Sequence, residues 1–94
     1  MKTLKKITIK PMYVESIPDL TEMEQKVLYI SKHYKTAAHM CLCGCGEETI
    51  TPLNEYGWIL TDNEGKISLQ PSIGNYQFEC KSHYIITNNV ANFV

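Results

Sequence analysis

The chain has 94 residues and a formal net charge of -1, with nine lysines and no arginine. That length holds one domain over residues 1–94, and a core this small supplies only a few kcal/mol unless something staples it. The absence of arginine, the two-pronged reader of guanine and phosphate, puts nucleic acid last among possible partners, and no segment reaches the roughly 18 apolar residues needed to span a bilayer.

Lys2, Lys5, Lys6 and Lys10 give the start of the chain positive charge. No apolar run of signal-peptide length follows them, so the expected compartment is the cytoplasm, where thiols stay reduced. Residues 4–14 read as a strand in which Ile7 and Ile9 alternate with Thr8 and Lys10. Pro11 makes it an edge or bulged strand, and lysines suit such an edge because they discourage further pairing. Ser16 to Asp19 marks a turn, and Asp19 to Lys26 allows one helical turn, too short to stand alone.

Strands are expected at Val27–Ser31, from Thr36 into the cysteines, and at Glu47–Leu53. Tyr56–Thr61 and Lys66–Leu69 flank Asp62-Asn63-Glu64-Gly65, the pattern of a hairpin. Pro71 to Asn75 reads as a rigid loop. Further strands are expected at 76–80, 83–87 and 90–93, the last two joined by a turn at Asn88-Asn89. The predicted fold is therefore mainly β: a small antiparallel β-meander with little or no helix, stapled by a metal site.

The staple comes from two clusters. His39-Met40-Cys41-Leu42-Cys43-Gly44-Cys45-Gly46 is answered by Cys80-Lys81-Ser82-His83. Tetrahedral zinc holds its sulfurs roughly 3.8 Å apart, whereas alternate residues on a flat strand stand about 6.6 Å apart. A turn must draw the cysteines together, and Gly44 and Gly46 supply the freedom for it. In a reducing compartment closely spaced thiols favour metal over disulfides. The candidate ligands to one zinc ion per chain are Cys41, Cys43, Cys45, Cys80 and His83. The set Cys43, Cys45, Cys80 and His83 is preferred, with Cys41 as the substitute and His39 hydrogen-bonding beside the site. Structural zinc binding of about 10–16 kcal/mol in small peptides rivals the whole stability of a domain. The alternative is four buried free cysteines with incidental histidines. His33, between Lys32 and Tyr34, reads as a surface residue.

Taken together, V-E-S-I-P at Val14 to Pro18, L-Y-I-S at Leu28 to Ser31, H-x-C-x-C-G-C-G at His39 to Gly46, Trp58, S-L-x-P-S-I-G-N at Ser68 to Asn75 and C-x-S-H-Y at Cys80 to Tyr84 resemble a family of small bacterial and phage proteins. The resemblance covers nearly the whole chain. Leu42 stands where many members carry proline, which bears on the stiffness of the knuckle more than on ligation. Some relatives are encoded beside ubiquitin-like proteins and homologues of ubiquitin-activating or ubiquitin-conjugating enzymes. The resemblance thus implies an accessory role in a bacterial ubiquitin-like modification system and brings no catalytic activity with it.

Two functions follow as expectations. One is a zinc-stabilised module that docks a protein partner, with tyrosines at the interface. The other is an enzyme, either metal-dependent with an open zinc position and Glu47 or Glu48 as base, or cysteine-dependent through a thiol left out of the shell, Cys41 first.

Overall fold

The computed structural model describes residues 5–75 and 81–94. The strand expected over residues 4–14 is two strands in different sheets. β1 (Lys6–Thr8) and β2 (Lys10–Tyr13) part at buried Ile9, whose N–H donates to Asn89 O at 2.8 Å while the Lys10 N–H donates to Lys26 O at 2.8 Å. One residue thus moves the chain between layers. A short 3-10 turn (Leu20–Glu22) is followed by β3 (Val27–Ser31), β4 (Thr36–Met40), β5 (Glu48–Pro52), β6 (Ile59–Asn63), β7 (Lys66–Gly74), β8 (His83–Thr87) and β9 (Val90–Phe93).

A five-stranded sheet in the order β1-β9-β8-β7-β6 packs on a four-stranded sheet in the order β2-β3-β4-β5. The mainly β class is as expected. All pairs are antiparallel except β2 with β3. The meander pattern is lost there because residues 14–26 carry the chain back to the start of the sheet before β3 begins. β2 and β5 are edge strands, and they hold Pro11 and Pro52, whose missing N–H groups are tolerated there.

Two hairpin tips set the register of the larger sheet. Glu64 and Gly65 (φ 54° and 88°) join β6 to β7, and Asn88 and Asn89 (φ 49° and 68°) join β8 to β9. Positive φ at both central residues matches the right-handed twist of the flanking strands.

Leu28, Ile30 and Ala37 from the smaller sheet share one core with Ile67, Leu69, Ile73, Tyr84, Ile86 and Ala91 from the larger, with Trp58 packed at its margin. Val27, Tyr29 and Ala38 face the other way and are covered by Met23, Val14 and Ile17. With both faces covered, every residue of β3 is buried, and the run Val-Leu-Tyr-Ile shows no alternation. His33 is exposed, as expected. Among the described residues no helix is long and apolar enough to cross a membrane. The strand expected at residues 76–80 lies outside the described residues.

Candidate active site and thiol cluster

The segment from Pro71 to Gly74, expected as a loop, is the second half of β7. Gly74 pairs with His83 and Ile73 with Tyr84, but farther along Leu69 pairs with Ile86, so surplus backbone on β7 bulges out around Pro71. A bulge re-aims side chains. Ile67, Leu69 and Ile73 point to the core, while half-buried Ser72 points to the opposite face of the sheet. Around the start of β8 the same alternation buries Ser82 and Tyr84 and turns His83 outward.

Ser72 and His83 meet on that outer face, with Ser72 Oγ 2.6 Å from His83 Nε2. With the imidazole proton on Nδ1, the serine hydroxyl donates to Nε2, which is the contact of a nucleophile with its base. Ser72 opens onto a cleft of about 460 Å³, lined also by Glu55, Gly57, Ile59, Pro71 and Ile85. The cleft is within the size range of small-ligand sites, and it crosses β6, β7 and β8.

The thiols gather at the end of β4. The turn after Met40 is closed by the Cys41 N–H donating to Glu47 O at 2.7 Å and the Gly44 N–H donating to Cys41 O at 3.0 Å. Gly44 and Gly46 hold φ of 90° and 86°, the freedom their positions require. The ligand atoms of Cys41, Cys43 and Cys45 all lie within 4.8 Å of one another, and the first two sulfurs are 3.3 Å apart. These separations bracket the roughly 3.8 Å of sulfurs on tetrahedral zinc. Three soft, closely placed thiols suit zinc, so the donor set fits a metal ion.

Cys41, ranked from spacing as the substitute ligand, is therefore in the cluster with Cys43 and Cys45. Cys80 lies outside the described residues. His83, also expected as a ligand, gives its Nε2 to Ser72, and it points to the face opposite Ser82, whose Oγ is 3.1 Å from Cys41 Sγ. His39, expected to hydrogen-bond beside the metal site, is buried between the sheets with Nε2 2.6 Å from Tyr84 Oη. Among the described residues its Nδ1 has no partner. Burial lowers its pKa to about 4, so it is neutral at neutral pH.

A family model described as "Bacterial ubiquitination-like system serine protease (BubE)" matches residues 13–94. The chain belongs to the BubE family. No curated protein and no solved structure gives a significant match. The matched span covers β3 to β9 and the last residue of β2, and with them Ser72, His83 and all four cysteines. The tie to a bacterial ubiquitin-like system, implied by the sequence resemblance, thus holds at the level of the BubE family.

Sequence reasoning did not single out Ser72. Its place in this BubE-family chain depends on a bulge and a cross-strand register, neither of which leaves a spacing signal. A usable hint was present in Ser72 and His83 falling within the two motifs on either side of residues 76–80. His83 was assigned to metal because Cys-x-x-His is a familiar ligand spacing, and that spacing is silent about which face of a strand the histidine takes.

Proposed function

We propose that this protein is a serine protease of a bacterial ubiquitin-like modification system. Its substrate is the peptide or isopeptide bond that follows the C-terminus of a ubiquitin-like modifier. The observation that carries this reading is the 2.6 Å contact between Ser72 Oγ and His83 Nε2 at a cleft. The family description supports the class of reaction and the biological system.

Ser72 Oγ attacks the carbonyl carbon of the scissile bond while His83 Nε2 takes the hydroxyl proton. The imidazolium then returns that proton to the departing amine as the C–N bond breaks, leaving the modifier as an ester on Ser72. Water, deprotonated by the same nitrogen, attacks the ester, and the proton passes back to Ser72 Oγ as the acid leaves. The cleft gives the substrate an apolar floor at Ile59, Pro71 and Ile85. Tyr56, 93 % exposed beside Glu55 and Gly57, offers a contact for a folded partner.

In the same reading the thiol cluster holds one zinc ion, with Cys41, Cys43 and Cys45 joined by Cys80, and the metal is structural. Four thiolates close a tetrahedral shell and leave no open position for catalysis. In this reading His83 acts as the base and not as a metal ligand. The cytoplasm is the compartment in which such thiols remain available to metal.

The test uses the purified protein, a ubiquitin-like modifier of the same system fused through its C-terminus to a second protein, and a fluorophosphonate that labels activated serines. Ser72→Ala and His83→Ala should each lower cleavage by about 10⁴-fold or more and abolish labelling, with circular dichroism unchanged. Cleavage that survives Ser72→Ala would sink the assignment. Survival there, combined with loss on Cys45→Ser in a folded protein, would move the chemistry to the thiols.

A further inference from the structure

On the inner side of the sheet, directly behind the dyad, lies a buried amide. Asn75 follows Gly74 at the end of β7 and is 3 % exposed. Its Oδ1 accepts from Thr49 Oγ1 at 3.1 Å. Its Nδ2 lies 3.0 Å from Ser82 Oγ and 3.3 Å from Tyr84 Oη, with Cys41 Sγ farther off at 3.5 Å. Its backbone N–H donates to Ser82 O at 2.8 Å.

Ser82 and Tyr84 are the residues on either side of His83. One amide group therefore grips both neighbours of the base from the face opposite the imidazole. The amide has two N–H bonds, and the two nearest acceptors are the flanking hydroxyls. An apolar side chain would fill this space without fixing any angle, whereas a satisfied buried amide fixes the rotation of the backbone it holds. A small rotation of β8 about its axis swings the His83 ring across the outer face, because the imidazole stands several bonds away from that axis. The Ser72 contact is what such a rotation breaks.

We propose that Asn75 is a positioning residue for the reaction: by holding Ser82 and Tyr84 it sets the β8 backbone at His83, and so the distance from Nε2 to Ser72. The inference rests on Ser72 and His83 being the catalytic pair. Misplacement of a reacting group by about 1 Å costs on the order of 100-fold in rate. Because the substrate cleft is on the other face, binding is left alone.

The experiment compares Asn75→Ala, Ser82→Ala and Tyr84→Phe with the unmodified full chain. It reads kcat and KM on the modifier fusion, the rate of Ser72 phosphonylation by a fluorophosphonate, and the folded fraction by circular dichroism. Asn75→Ala should lower kcat per folded molecule by about 10- to 100-fold with KM within about 3-fold, and phosphonylation should slow in the same ratio. Unchanged kcat per folded molecule, or a change in KM alone, overturns the proposal. If Asn75→Ala does not fold, Ser82→Ala and Tyr84→Phe decide, since each removes one acceptor. A fall in kcat of about 3- to 10-fold in both supports it, and wild-type kcat in both overturns it. Ser72→Ala separates the two levels: an active Ser72→Ala protein refutes the dyad itself, while an inactive one beside a normal Asn75→Ala protein refutes only the positioning role.

Discussion

His39 shows what burial does to a single ionisable group. Its ring is 1 % exposed between the two sheets, and loss of water lowers its pKa to about 4. In the unfolded chain the same imidazole takes up a proton near pH 6.5. Between these values the unfolded state binds more protons than the folded one, so stability falls as pH falls. The contribution is complete above about pH 6.5 and drains away down to about pH 4, at up to roughly 1.4 kcal/mol per pH unit. The urea midpoint should therefore drop more steeply over this range than that of His39→Gln, which places a polar atom near Tyr84 Oη and cannot titrate. Thiol ligands also protonate on acidification, so the difference between the two proteins is the quantity to measure, and equal slopes would contradict the burial argument. The histidine's burial is a tertiary effect: nothing in His39-Met40-Cys41 separates a core imidazole from a metal neighbour.

Among the elements, the hairpin tips and the wall of the cleft carry the sharpest expectations. Asn89 holds φ 68°, accepts from the Ile67 N–H through Oδ1 at 2.7 Å, and donates through Nδ2 to Gly65 O at 3.1 Å. It therefore ties the β8–β9 tip to the β6–β7 tip. Asn89→Ala adds left-handed strain and leaves two hydrogen bonds unmade, an expected cost of about 2–3 kcal/mol in urea unfolding. Asn88→Gly keeps the backbone donation to Ser68 Oγ and tolerates positive φ, so it should stay within about 0.5 kcal/mol of wild type. Gly57 is a different case, because its constraint is space. A Cβ there would meet the Pro52 carbonyl oxygen at 2.4 Å, in a segment already closed by the Trp58 N–H donating to the same oxygen. Gly57→Ala should cost about 1–3 kcal/mol and raise KM, since Gly57 lines the cleft beside Ser72. A variant with normal stability and normal KM would show that this wall yields freely.

For the whole molecule the open quantity is the metal. The thiol turn ends β4 in the smaller sheet, yet Cys41 Sγ lies 3.1 Å from Ser82 Oγ, next to the first residue of β8 in the larger. The cluster thus joins the two layers at the end where the dyad sits. Elemental analysis should find one zinc per chain. Stripping it with a chelator should lower the melting temperature by about 10 °C or more, because each kcal/mol lost shifts a domain of this size by about 4–8 °C. Ser72 phosphonylation should slow with it. Protein free of metal at isolation, with the same melting temperature before and after chelator, would show that the three thiols stand together without holding a zinc ion.

Much of the framework was legible in residues alone. Alternating β-branched runs, Asn-Asn and Glu-Gly tips and prolines at edges mark the β class and most strand positions, because side-chain period and backbone φ are local properties. The closeness of Cys41, Cys43 and Cys45 was legible for the same reason, since two glycines permit the turn that gathers them. Local signals could not separate β1 from β2, reveal the parallel β2–β3 pair, or convert Pro71 to Gly74 from loop to strand, because those outcomes depend on which distant strand supplies the hydrogen bonds. The pairing of Ser72 with His83 belongs to this second kind. It requires a bulge on one strand and the register of another, so the chemistry of the site was decided only when the β7 and β8 backbones came together.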